Sequence, residues 1–102
     1  MASGILGQQT GTGDVYTVPS STLAVVNISV LNNDTSDNET VVLRIIASGD
    51  TEGNQHNIEN FSLASRGVIE RTGIVLGAGD KVKVSTGSSD VCTSVYGIEE
   101  SV

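Results

Sequence analysis

The side chains best suited to chemistry are few and far apart. The chain has one histidine, His56, and one cysteine, Cys92. His56 sits in GNQHN, a polar stretch with neither a cysteine nor a second histidine beside it, so a transition-metal site would lack partners. It reads as a solvated loop residue. Cys92, in DVCTS, holds an alternating strand position with no local base, which suits a half-buried small hydrophobe better than a nucleophile. Asp34, Asp37 and Glu39 fall within six residues of each other, and Asp50 and Glu52 form a second acidic pair. Such oxygens could serve a weakly held Ca²⁺ or Mg²⁺ ion. Their spacing does not follow the EF-hand loop, however, and Asn and Asp here are explained by turn chemistry. Glu70 and Arg71 are adjacent strand residues on opposite faces, each free to reach a neighbouring strand. Glu99 and Glu100 read as solvated. No acid, base and nucleophile cluster can be assembled, so no catalytic residue, metal or cofactor is expected and the chain reads as a non-enzyme.

Short motif matches add nothing to this. Asn27, Asn33, Asn38 and Asn60 each open an N-x-S/T triplet, but MASGILGQQTGTGD at residues 1–14 has neither a positive segment nor an apolar run of signal-peptide length. The expectation is synthesis in a reducing cytoplasm, where a lone cysteine forms no intrachain disulfide. SDN at 36–38 lacks the companion motifs of the serine penicillinases. TGTG and GAGD follow the wrong elements for a phosphate-cradling loop. A carbohydrate site would need an exposed aromatic beside the 32–39 or 48–57 loop, and only Tyr16, Phe61 and Tyr96 could supply one.

The elements that must position these residues are strands. Val, Ile and Thr make up 32 of the 102 residues, against five Ala and six Leu, and twelve glycines interrupt every helical window. Residues 14–20 read as a short strand stopped by Pro19, which also holds Val18 extended. Thr22 to Leu31 alternates most clearly: Ala24, Val26, Ile28 and Val30 share one face, and Val25, Asn27, Ser29 and Leu31 the other. Thr40 to Ala47 places Val41, Leu43 and Ile45 opposite Val42, Arg44 and Ile46. Ile58 and Phe61 mark a short edge strand, VIERT follows at 68–72, and GIVLGAGD at 73–80 prepares a turn. Lys81 to Ser85 points Val82 and Val84 inward. The last strand, 91–100, sets Val91, Thr93 and Val95 against Cys92, Ser94, Tyr96 and Ile98.

Seven or eight strands at this spacing predict an all-β antiparallel β-sandwich, Ig-like or a small jelly roll, as a single domain over residues 14–102. The predicted core is Val26, Ile28, Leu43, Ile45, Val82, Val84, Val91 and Val95. Residues 1–13, with four glycines, read as a flexible N-terminal arm that Ile5 and Leu6 could anchor. The apolar residues on second faces, Val25, Val42 and Ile46, would be better used under a partner. Ile5, Leu6, Val25, Val42 and Ile46 are therefore the candidate interface. The net charge is −7, with two Lys and three Arg, which argues against nucleic acid and against an anionic membrane surface as partners.

Several blocks together resemble a known group. MASGILGQ, VYTVPSSTLAVVNISVLNND, the VVLRI strand, LASRGVIERTGIVLGAGDKVKV and the VYGIEE end are similar to small virion proteins of tailed bacteriophages, particularly phages of marine cyanobacteria. The most specific part is L-x-x-x-G-x-x-E-x-T-G-I-x-L-x-A-G-D-x-V-x-V. It falls on Leu63, Gly67, Glu70, Thr72 to Ile74, Leu76, Ala78 to Asp80, Val82 and Val84. The resemblance implies a non-catalytic structural subunit, a capsid decoration or cement protein, with a tail, neck or baseplate component as the alternative. A carbohydrate-binding module for host attachment is the rival from another class. The implied location is the virion, after assembly in the host cytoplasm. The implied partners are other copies of the chain, as a trimer or dimer, and phage structural proteins such as the major capsid protein.

Overall fold

Alternation at period two pairs each apolar face with another, and two stacked sheets result. A computed structural model describes residues 3–102, with the backbone alone at residue 54. The strands are β1 (Ser3–Thr10), β2 (Gly13–Thr17), β3 (Thr22–Asn32), β4 (Glu39–Ile46), β5 (Asn57–Leu63), β6 (Val68–Leu76), β7 (Lys81–Thr86) and β8 (Val91–Ser101). A single 3₁₀ turn, Asn54–His56, precedes β5. One sheet has the order β1-β8-β3-β6 and the other β2-β7-β4-β5. Every pairing is antiparallel, and β1 meets β8, β2 meets β7, β3 meets β6 and β4 meets β5. The chain is thus one long hairpin wound around itself. Of the two expected windings this is the jelly roll, not the Ig-like one.

The core is aliphatic. Val26, Ile28, Leu43, Val82, Val84, Val91 and Val95 are buried as expected, and Ile45 is partly buried against them. Pro19 follows the end of β2, and β3 has the expected faces. The turn into β7 also forms as read: Asp80 accepts from the amides of Gly77 and Ser48 at 2.9 Å each.

Two expectations need correction. Residues 3–10 are not part of a free arm, because their backbone completes the first sheet along β8; residues 1 and 2 lie outside the described residues. The four glycines suggested looseness, yet Gly7 is required by packing: a Cβ there would lie 2.1 Å from the Val15 carbonyl oxygen. The strand signal at 68–72 does not end at Gly73 either. Thr72 and Gly73 together face the single residue Asn27, and Gly73 adopts φ +70°. Its amide donates to Asn27 Oδ1 at 3.1 Å, so the glycine makes a bulge within one long strand.

Bulges follow a rule across the molecule. The central pairings, β3 with β8 and β4 with β7, run without a shift. Each of the four outer pairings has one, at Leu6, Val15, Ile58 and Thr72–Gly73, always with the extra residue on the edge strand. The Val15 bulge lets consecutive residues Val15 and Tyr16 both turn inward.

Candidate functional site

The antiparallel register puts the two acidic loops at opposite ends of the sandwich. Loop 32–39 lies with the 10–13, 63–68 and 86–91 connections, whereas 46–57 lies with 17–22 and 76–81. Their carboxylates cannot form one site.

At the first end, Asn32 is fully buried and uses its whole amide. Its Nδ2 donates to the carbonyls of Asp37 and Leu63 at 3.0 Å each, and its Oδ1 accepts from the Asp34 amide at 3.0 Å. Asp34 Oδ1 in turn accepts from the amides of Ser36 at 2.9 Å and Asp37 at 3.1 Å. Those backbone bonds hold the Asp34 carboxyl below its ordinary range. Desolvation, followed by the Asp34 carboxylate, pushes Glu39 up. Two carboxyls driven apart in this way can mark an acid and base pair. Here both are half-buried, and no cavity opens anywhere among the described residues. Asp34, Asp37 and Glu39 do not converge as a metal-ligating group; no cluster of three or more His, Cys, Asp or Glu suited to an ion forms among the described residues.

At the second end, loop 48–56 folds back onto the outer face of β4 and β7. Arg44 donates from Nε to Asn57 Oδ1 at 2.6 Å and from Nη1 to Glu52 Oε2 at 2.8 Å. Lys83 Nζ donates to Glu52 Oε1 at 2.5 Å. The Lys83 hydrogen bond, helped by the Lys83 and Arg44 charges, keeps Glu52 below its ordinary range against partial desolvation. His56 is not the solvated residue expected from its polar neighbours. It is buried, accepting from the Gly53 amide at Nδ1 (3.1 Å) and facing Asp50 Oδ2 from Nε2 (3.2 Å). With Nδ1 an acceptor, the proton belongs on Nε2 and is donated to Asp50. Both ring nitrogens are therefore engaged within the loop, and no hydroxyl or thiol stands where the ring could activate it.

The candidate interface residues separate. Ile46 is 3% exposed and offers nothing to a partner. It lies on the outer face of its sheet, opposite Lys81, where the 3₁₀ turn packs against β4. The chain's own loop supplies the cover that was expected from another molecule. Leu6, the extra residue of the β1 bulge, packs against the core. Val42 is half-buried on the second sheet. Only Ile5 and Val25 stand exposed, and they share the outer face of the first sheet.

That face is close to charge-free. In register, Ile98 lies opposite Val25 and Val25 opposite Val75, while Cys92, Leu31 and Val68 form a second row further along. Between them run Ser94, Ser29 and Glu70, with Tyr96 donating to Glu70 at 3.0 Å. This bond raises the Tyr96 pKa. No family model matches the chain, and comparison with curated proteins and with solved structures finds none that is similar.

The aromatic residues do not make a sugar platform at either loop. Tyr16 is buried and donates to Glu99 Oε2 at 2.5 Å, and Phe61 packs on the core. Tyr96 lies mid-sheet opposite Asn27, away from both loops. Glu99, expected to be solvated, therefore serves the buried end of Tyr16. Sequence reasoning missed it because the pairing spans 83 positions. Arg71 and Glu70 do divide as expected: Arg71 reaches Glu59 on β5 across the open side of the sandwich with Nε at 2.6 Å, while Glu70 stays on the outer face with Tyr96.

Proposed function

We propose that the chain is a non-catalytic structural subunit of a tailed-phage virion, used as a capsid decoration or cement protein. A tail, neck or baseplate component is the alternative within the same class. The observation that carries the reading is the combination of a jelly roll with no cleft among its described residues and a nearly uncharged, apolar sheet face. Such a molecule offers surface and rigidity but no place to hold a small substrate. Its polar groups with chemical potential, His56, Asp34 and Glu52, are occupied in fastening its own loops. Jelly rolls serve in viral capsid and lectin domains alike, so the fold alone does not choose between them. The virion assignment rests on the sequence blocks that resemble tailed-phage proteins. Repeated display on a lattice would let weak individual contacts suffice through multivalency.

The test is to locate and count the protein in purified particles by specific labelling and quantitative mass spectrometry. Hundreds of copies over the head support decoration. A ring of six or twelve, or copies spaced along the tail, support the alternative. Presence in infected-cell lysate with absence from purified particles would overturn both.

A further inference from the structure

We propose that the outer face of the β1-β8-β3-β6 sheet is a two-fold interface occupied by a second copy of this chain. The inference concerns the isolated protein and goes beyond the virion role, on which it does not depend. Three large apolar side chains lie in one register row there: Ile98 is 47% exposed, Val25 36% and Val75 63%. Ile5 lies opposite Tyr96, diagonal to Ile98, and is exposed as well. Leu31 and Val68 repeat the pattern at the other end of the face.

Charge selects the occupant. The chain has twelve acidic and five basic side chains, yet only Glu70 and Glu100 occupy outward register positions on this face. Two copies at −7 each would repel through most approaches, and this face brings only Glu70 and Glu100 of each copy together. A basic partner would find little to pair with on it. The polar groups between the apolar rows are already joined within the face: Tyr96 to Glu70, Gly73 to Asn27, and Gln8 to Ser94. They need no complementary donors from a different protein, so an identical face is the fitting counterpart.

Geometry disfavours the other simple homotypic route. All four edge strands have bulges, which disrupt the flat edge that strand-to-strand pairing between copies requires. Four strands ~4.8 Å apart, with about nine residues each at ~3.3 Å, make a face of roughly 19 by 30 Å. Two such faces bury on the order of 1,200 Å², the lower end of a standard specific interface. Isologous stacking brings the same rows together about a two-fold axis.

Sedimentation equilibrium of the full chain tests this over about 1 to 300 µM, a range suited to an interface of that size. The expected result is a reversible monomer–dimer equilibrium that tightens with added salt, as screening weakens the repulsion between acidic copies. Val25→Glu with Val75→Glu should weaken dimerisation at least about 100-fold by placing charges at the centre of the face. Both side chains are exposed in the single chain, so circular dichroism at low concentration should match the wild type. Val42→Glu, on the other sheet, should leave the dimer intact. A wild-type monomer throughout the range would overturn the proposal, as would a dimer that survives the double substitution or dissociates with Val42→Glu. A monomeric chain found on purified particles would defeat the dimer and leave the virion role standing.

Discussion

Thr93 buries a hydroxyl that finds no hydrogen-bond partner, although Gln9 lies opposite it on β1. It is 1% exposed on β8, between fully buried Val91 and Val95 and opposite Val30, and its Oγ1 has no hydrogen-bond partner among the described residues. An orphaned buried hydroxyl costs about 1 to 3 kcal/mol, whereas a methyl of similar size there costs nothing in desolvation. Thr93→Val is therefore expected to stabilise the fold by roughly 1 kcal/mol. The measurement is a urea titration, with the midpoint rising and the slope unchanged. Tyr16 gives a pH-dependent counterpart. Burial, then the hydrogen bond to Glu99 and its charge, push the phenol well above its ordinary value of 10.0. The folded state keeps this proton after the unfolded chain has released it, so stability is complete below about pH 10 and falls as pH rises further. Tyr16→Phe should flatten that alkaline decline in unfolding titrations, leaving the smaller contribution of Tyr96, whose pKa is also raised.

At the scale of elements, loop 48–56 is held on β4 and β7 chiefly through Glu52, which joins Arg44 to Lys83. Removing its charge loosens the cover over Ile46 without touching the core between the sheets. Glu52→Gln is expected to speed amide exchange across residues 50–56, measured by hydrogen–deuterium exchange, while β3, β7 and β8 stay protected. Acid should act in the same direction. Because Glu52 is held below its ordinary range, its contribution is present above the usual carboxylate pKa and lost as pH falls through the lowered value. This loop also shows where sequence reasoning ends. Alternation leaves Ile46 on a second face better used under a partner and the polar neighbours make His56 a solvated loop residue, yet both are buried. Periodicity reports which residues share a face; it does not report that the 48–56 loop turns back and lies across it. In β1, by contrast, the signal was weak in itself. Gly4 and Gly7 dilute the alternation of residues 3–10, and only the close approach to Val15 explains why Gly7 is needed.

For the whole molecule, the sandwich and seven of its eight expected core residues were legible, because Ala24 to Val30, Lys81 to Val84 and Val91 to Val95 alternate without interruption. The winding was not, since each pairing joins strands from opposite halves of the chain and periodicity contains no information about partners. The same holds for the Tyr16–Glu99 and Arg71–Glu59 contacts, which link strands that alternation treats as independent. The winding has one more effect. Ser3 lies opposite Ile98, and the Val102 amide donates to the Ser21 carbonyl at 2.9 Å. β1 therefore enters and β8 leaves at the same end of the molecule, side by side. Tension applied between those two points would not load the ladder as a whole. It would peel β1 from β8 rung by rung, because antiparallel hydrogen bonds lie across the strands and the pull would fall on one pair at a time. A chain held by both of these strands would yield like a zipper, whereas one gripped across its sheet face would resist as a block.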